Sequence, residues 1–314
     1  MATEEHVKAI RDGAAGISRW RKHNPNGLLD LAGLHLSDIH LGGADLHDAI
    51  LSDAVFRNVD FSNVNLSGAD LQRASIEGGH AGSANFRGAN LTDAKMESVQ
   101  CPDAKFVAAT LIKAKFAYSV LNRCDFADAK IEQARFQHAH LANAVGLPKE
   151  KLRTCGLNTT NLSNIDLSGV DLSGLELNQI NFTGCNLTNA NFSRAKLVHA
   201  NFFGANLTSA NLNDAHLSEA VLNNTNLTKA SLLRADLRGA SLLHTRLEET
   251  DLAHADMTEA TIQAATFLNT KNADKALHLD TVHVQQEIVY FDTMRFSKMN
   301  TYLSWEQLRS IGKA

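Results

Sequence analysis

From Ala190 to Leu222 the chain reads ANFSRAKLVHANFFGANLTSANLNDAHLSEAVL, with alanine at every fifth position and a large apolar residue two places after each alanine. A period of five leaves the backbone few choices. On an α-helix, five residues at about 100° each overshoot a full turn by roughly 140°, so the apolar residues spiral and form no face. On a flat strand the side-chain period is two, and an odd spacing throws successive leucines onto opposite faces. A chain that turns a corner once per repeat keeps one position pointing inward every time. Such a chain closes into a coil, and its core is continuous only because neighbouring coils cover one another.

The period holds in two phases. Centres from Leu36 through Leu41 and Leu46 to Leu141 make 22 pentads, 20 of them Leu, Phe, Ile or Met, with Ala81 and Cys101 as the exceptions. A second set from Leu162 to Phe267 makes another 22, every centre large and apolar. Two places before each centre the residue is usually Ala and otherwise mostly Val, Ile, Cys, Thr or Ser, and a small side chain there lets the corner close while the centre fills the middle. Leu141 and Leu162 are 21 residues apart, so the phase slips by one between the two runs.

The units ADL at 44–46, ANF at 84–86, ANL at 89–91 and ANF at 190–192 carry the motif most plainly. They resemble the pentapeptide-repeat family, whose members repeat A(D/N)LXX. The resemblance implies an all-β solenoid, a right-handed quadrilateral β-helix with four pentads to a coil. On that basis the chain makes about 11 coils in two phased runs, with short helical caps at both ends, and at about 4.8 Å per coil spans about 50 Å. Residues 20 apart then stack as columns. Phe86, Phe106 and Phe126 fall in one inward column, Phe182 and Phe202 in another, and these are the expected structural core. Asn161, Asn181 and Asn201, and Asn186, Asn206 and Asn226, form outward columns whose amides can bond the backbone or their own copies. The column Leu41, Phe61, Ala81, Cys101, Leu121 and Leu141 is thin in its middle, beside the glycine-rich EGGHAGS at 77–83 and Pro102.

Five segments follow: a helical cap over 1–27, a first repeat run over 28–141, an irregular break over 142–161, a second run over 162–270 and an aromatic cap over 271–314. Residues 3–24 read as one helix capped by Thr3, with Val7, Ile10, Ala14, Ile17 and Trp20 on one face and Asn24-Pro25-Asn26-Gly27 as its stop. An open solenoid end exposes apolar cross-section and unpaired edges, so this helix is expected to lie over the first coil. Its sequence, IRDGAAGISRWRKHNPN, also resembles the lead-in of bacterial pentapeptide-repeat proteins. The break, with Pro148 before KEKLRT, reads as an exposed bulge or one irregular coil containing a helical turn. The C-terminal segment holds Tyr290, Phe291, Phe296, Tyr302 and Trp305, and Ser304 with Gln307 makes a capping box for a last helix. It reads as a lid or as a homodimer contact.

Composition narrows the function classes. There is no apolar run long enough to span a membrane and no signal-peptide pattern, so the expected location is the cytoplasm. Cys101, Cys124, Cys155 and Cys185 lack CxxC spacing and fall on inward positions, as small buried hydrophobes do. Residues 31–141 carry 13 acids and 10 bases, and residues 157–267 carry 11 acids and 6 bases, which leaves no basic footprint for direct nucleic-acid binding. Fourteen histidines are spread over outward positions, with His40 and His80 flanking Asp60, and none forms a metal-binding set. No HExxH, phosphate loop or GxSxG is present, so no catalytic, cofactor or metal site is expected and the chain does not read as an enzyme.

What remains is a surface function: a rigid, non-enzymatic scaffold for protein–protein interaction. The family resemblance implies an alternative, a DNA mimic that binds gyrase or topoisomerase IV and protects it from quinolones or other poisons. Its candidate surface is the acidic set Glu219, Asp236, Asp256 and Glu259. The helical lead-in, the greater length and the lack of a clearly acidic face depart from such mimics. If the phase assignment holds, Phe106→Asp buries an unpaired charge and destabilises by about 3–5 kcal/mol, whereas Thr208→Asp, at an outward position, costs less than about 0.5 kcal/mol. Parallel thermal melts check this, and equal melting would mean the phase is wrong.

Overall fold

The computed structural model describes residues 3–278, 281–284 and 290–292. The chain divides into two compact units, Met1–Asn161 and Leu162–Ala314. Each climbs by parallel pairing at a step of 20 residues, as in His40↔Asp60↔His80 in the first unit and Asn186↔Asn206↔Asn226 in the second. Centre N–H groups donate to the next coil: Leu46 to the Asn65 carbonyl and Phe106 to the Asp125 carbonyl, both at 2.7 Å.

The corner has a simple chemistry. The residue three after a centre donates back to the centre's carbonyl, Ala44 to Leu41 at 2.8 Å and Ala190 to Leu187 at 3.0 Å. The third residue of each such turn is left-handed, with φ of 72° at Gly43 and 58° at Asn189, the mark of a type II turn. The Asn or Asp before the next centre then accepts from the N–H two residues on, as Asn181 Oδ1 does from Thr183 at 2.9 Å. Its amide protons reach the neighbouring coil: Asn65 donates to Asp45 at 2.9 Å and Asn85 to Asn65 at 3.0 Å. The repeated A(D/N)L is therefore a turn-closing device as much as a core pattern.

On one face of the first unit the turn stays open and the chain forms strands β1 (His35–Ser37), β2 (Val55–Arg57), β3 (Ser75–Glu77) and β4 (Lys95–Glu97), which pair in parallel in that order. In the second unit β5 (Ser241–Leu243) and β6 (Thr261–Gln263) pair in parallel in the same way, while β7 (Thr266–Leu268) pairs separately with a later strand. Inside, Phe86, Phe106 and Phe126 stack nearly parallel, with ring centroids 4.9 and 5.2 Å apart. Phe116 and Phe136 form a second stack at 5.3 Å, set edge-on to the first. Phe182 and Phe202 stack at 5.2 Å, with Phe192 edge-on to both. All these rings are fully buried, each contributing about 1.5–3 kcal/mol from burial and 0.5–1.5 kcal/mol more per ring pair. Thr208 is less free than an outward position implies. Its hydroxyl donates to Asn206 at 2.6 Å and accepts from Asn226 at 3.1 Å, so exposed Ser209 is the better neutral control for Phe106.

The N-terminal segment forms two helices where one was expected. Helix α1 runs Glu4–Arg11, capped by Thr3, and α2 runs Gly13–His23. The cause is Gly13, left-handed at φ 68°, whose hydrogen lies where a Cβ would come within 2.9 Å of the His40 carbonyl. The hairpin buries Ile10, Ile17 and Trp20. Arg21 fixes it by donating to the Asp45, His47 and Gly27 carbonyls.

The break also differs from an exposed bulge. Its leucines Leu147, Leu152 and Leu157 are buried, so the core runs through it. Pairing passes from a step of 20 at Asp125↔Val145 to 21 at Arg135↔Gly156, with a 3-10 turn, Lys149–Thr154, in between. The extra residue is absorbed at Gly146, where φ is 69° and a Cβ would sit 2.5 Å from the Ala127 nitrogen. Beyond 271 the chain keeps winding while the step lengthens, through Asp256↔Leu277, Thr261↔His283 in β8 (His283–Val284) and Thr266↔Tyr290 in β9 (Tyr290–Asp292). Phe296, Tyr302, Trp305, the Ser304–Gln307 capping pair and the dimer contact expected there lie outside the described residues.

Where the small position before a centre is Ser, Thr or Cys, its side chain donates to a centre carbonyl of the preceding coil. Thr225 reaches Phe202 at 2.9 Å, Thr245 reaches Leu222 at 2.8 Å and Cys185 reaches Leu162 at 3.0 Å. Ser119 does more. Its buried hydroxyl donates to the Met96 carbonyl and accepts from the Val99 N–H at 3.0 Å, replacing the bond that the open turn after β4 lacks. Ser119→Ala, although it installs the residue this position usually holds, strands both backbone groups. It should lower stability by about 1–3 kcal/mol in denaturant unfolding, while Thr225→Ala, whose acceptor keeps its turn bond, costs less.

Candidate functional site

Outward side chains on this fold are not independent. Parallel pairing fixes the position before each centre directly over its copy 20 residues away, so chemistry is displayed as columns about 4.8 Å apart. Several columns close on themselves. Arg73 grips Asp53, Arg123 grips Asp103 and Arg234 grips Asp214, each by two hydrogen bonds of 2.6–2.9 Å across one coil. Those three carboxyls are held below their ordinary range chiefly by the arginine hydrogen bonds. Lys196 and Glu176 pair in the same way at 2.6 Å.

The second unit brings Glu219, Asp236, Asp256 and Glu259 onto one face, with His216↔Asp236↔Asp256 as consecutive bridge partners. Both aspartates are hydrogen-bonded, and Asp236 is paired with a cation. Asp236 receives Arg238 Nε and Nη2 at 2.8 Å each and the Ser218 hydroxyl at 2.8 Å. Asp256 takes the Thr258 hydroxyl at 2.6 Å and its N–H at 3.0 Å. Glu219 leans over Gly239 and lies 3.5 Å from His199, and Glu259 uses its N–H to reach the Thr281 hydroxyl at 3.0 Å.

The first unit holds what the summed charge of its repeat run conceals. Residues 28–94 carry nine acids and three bases, while residues 95–153 carry six acids and ten bases. Lys95, Lys115 and Arg135 are consecutive partners in one column. On the same face Tyr118 stacks on His138 at 4.6 Å and 3°, with Tyr118 62% exposed. Splitting the charge count by coil in place of by run would have found this column.

Among the described residues no group of three or more His, Cys, Asp and Glu could hold a metal ion. His40 stands 3.7 Å from Asp60 with its ring 90% exposed. Burial pushes the Cys124 thiol up to about 12 and the Cys155 and Cys185 thiols to about 11, which keeps them protonated and unreactive. A groove beside α1 and α2 is shallow and lined by opposed charges such as Lys8, Asp12 and Arg19. Among the described residues no helix is long and apolar enough to cross a membrane.

Profiles of known families match the sequence along most of both runs. The pentapeptide-repeat profile of eight copies matches residues 39–78, 69–100, 104–143 and 230–269, and a pentapeptide repeat region matches 154–232. The chain belongs to the pentapeptide-repeat family. Among solved pentapeptide-repeat structures, HetL of the cyanobacterium Nostoc sp. strain PCC 7120, involved in heterocyst differentiation regulation, is 26% identical over 73% of this chain and 97% of its own, with a TM-score of 0.31. A pentapeptide repeat protein of the Arabidopsis thaliana thylakoid lumen is 40% identical over 31% of this chain and 67% of its own, with a TM-score of 0.30. QnrB1, a plasmid-mediated fluoroquinolone resistance protein, is 20% identical over 79% of this chain and 95% of its own, with a TM-score of 0.30. No curated protein matches the chain.

The Asp236–Arg238 pair gives a direct check on the charge compensation. Arg238 holds the Asp236 carboxyl down at about 2. A depressed acid stabilises the fold above its ordinary value of about 4 and loses that contribution as pH falls toward the folded value. In carbon-detected NMR titration Asp236 should stay ionised at about pH 3, and Arg238→Ala should bring its midpoint back toward the ordinary range. A midpoint near 4 in the intact protein would show that the pair does not form in solution.

Proposed function

We propose that this pentapeptide-repeat protein is a non-enzymatic scaffold whose outward columns are read by a protein partner in the cytoplasm. The observation that carries the reading is the ladder itself. Side chains such as Lys95, Lys115 and Arg135 are carried at a fixed pitch by backbone pairing on every coil, so a partner meets groups already spaced and the complex loses less freedom in forming. The outward positions form convex faces, whereas catalysis needs a concave, partly desolvated pocket with convergent polar groups. Full-length protein used as bait in host extract should retain one or a few proteins specifically, in a salt-dependent way. Retention no different from that of an unrelated protein of equal charge would remove the scaffold reading.

The gathering of Asp236 and Asp256 on successive coils favours a second reading, mimicry of duplex DNA toward gyrase or topoisomerase IV. Magnitude weighs against it. The 22 pentads of the second run make 5.5 coils, and the matching length of duplex, about 26 Å, carries roughly 15 phosphates, while residues 157–267 have 11 acids offset by 6 bases. Asp236, at the centre of the acidic face, is already gripped by Arg238. The purified protein should therefore neither inhibit gyrase supercoiling at low micromolar concentration nor rescue it from a quinolone. Potent inhibition or rescue, lost in Asp236→Asn with Asp256→Asn, would reverse the ranking of the two readings.

A further inference from the structure

We infer that the face of the first unit carrying Lys95, Lys115 and Arg135 beside the Tyr118–His138 stack is a docking strip for an acidic α-helix of a partner protein. This rests on the scaffold reading and names the partner's chemistry. Three cations on consecutive coils repel one another. None of the three is within ion-pair distance of a carboxylate among the described residues, although arginines elsewhere on this surface are paired across coils. Glu97, two residues after Lys95, and Glu77, gripped by Arg57 and Ser75, mark the end of the strip nearer the N-terminus. Toward the other end the same positions are the neutral Ala117 and Gln137.

Tyr118 is the second observation. It occupies a left-handed corner with φ 60°, a backbone state that glycine or asparagine adopts with less strain, and it is 62% exposed. Its ring is covered on one side by His138, which is also left-handed at φ 58°. Two rings held together in strained positions at the surface form a flat apolar platform. Across the floor of Ala117 and Gln137 from that platform runs the cationic row. An amphipathic helix has the complementary layout, with an acidic stripe flanking an apolar one.

Pitch selects the helix over other polyanions. Helix positions three and four residues apart advance about 5 Å, close to the coil spacing of about 4.8 Å, so successive carboxylates meet successive cations. Phosphates of a duplex strand advance about 3.4 Å per nucleotide, so none falls opposite the cation one coil on, about 4.8 Å away. Glu97 and Glu132 within the basic region also oppose a uniformly anionic polymer, whereas a peptide can set a lysine against them.

The test uses the full chain and a fluorescein-labelled helical peptide with glutamates spaced three and four residues apart beside a stripe of leucines. A scrambled peptide of the same composition and a single-stranded oligonucleotide of equal charge serve as comparisons, all read by anisotropy. The helical peptide should bind saturably, more tightly than either comparison and more weakly as salt rises. Lys115→Glu with Arg135→Glu should weaken it on the order of tenfold or more. Tyr118→Ala should weaken it less, and Lys196→Glu in the second unit should leave it unchanged. All the substituted side chains lie at the surface, and unchanged melting would confirm intact folds. Equal binding of the scrambled peptide, indifference to charge reversal, or tighter binding of the oligonucleotide would each overturn the assignment. If the bait experiment retains a specific protein while any of these occurs, the scaffold reading stands and this strip falls. If the bait retains nothing, both fall.

Discussion

One left-handed residue per pentad is the constraint on which everything else depends. Without it the chain could not turn its corner every five residues, and without the corner no position could point inward twice running. Most L-residues resist this conformation. The fold nonetheless accepts Asp, Arg, Lys, His and Tyr there, as at Asp53, Arg73, Lys113, His138 and Tyr118. The strain is outweighed by a closed turn bond, a paired backbone on both neighbouring coils and a fully buried centre. Because that balance is struck anew in each pentad, the identity of the corner residue is left open for other uses.

The freedom is spent in two ways. Some corners hold Arg–Asp grips between adjacent coils, which fix one coil on the next and silence both charges. Others hold exposed rings, as Tyr118 and His138 do beside the cationic column. The buried hydroxyls belong to the first kind in their logic. Ser119 and Thr225 occupy positions sized for alanine and are tolerated because a backbone carbonyl lies within reach of each.

The fold was readable because its signal repeats 44 times at the centre position, so the inward columns that include Phe86, Phe106 and Phe126 could be assigned by counting alone. Single events were harder. Gly13 reads as an ordinary glycine in a helical stretch, and only the nearness of the His40 carbonyl shows why the helix must break there. The 142–161 segment looked polar because its three inward leucines, Leu147, Leu152 and Leu157, already belong to the second phase. The acidic candidates do share a face, yet the bonds that Arg238 and Ser218 make to Asp236 depend on rotamers that no spacing rule supplies. The cationic column was missed for a different reason, since a sum over a whole run cancels opposite signs.

Gly146 shows how such a protein is geared. With a step of 20 residues and four sides to a coil, the face on which a side chain emerges is set by its residue number modulo 20. One extra residue would shift every later side chain from centre to flank and turn the core out to water, and Gly146 prevents this by taking up its extra residue between Val145 and the centre Leu147, out of the count. One extra pentad would be gentler and more consequential. The core would remain packed, but each later column within the unit would move a quarter of the way round, so surfaces that shared a side would part. Twenty residues would change nothing but height. Evolution of a binding surface on this scaffold can thus proceed by insertion as well as by substitution, with the length of the insert acting as an angular setting.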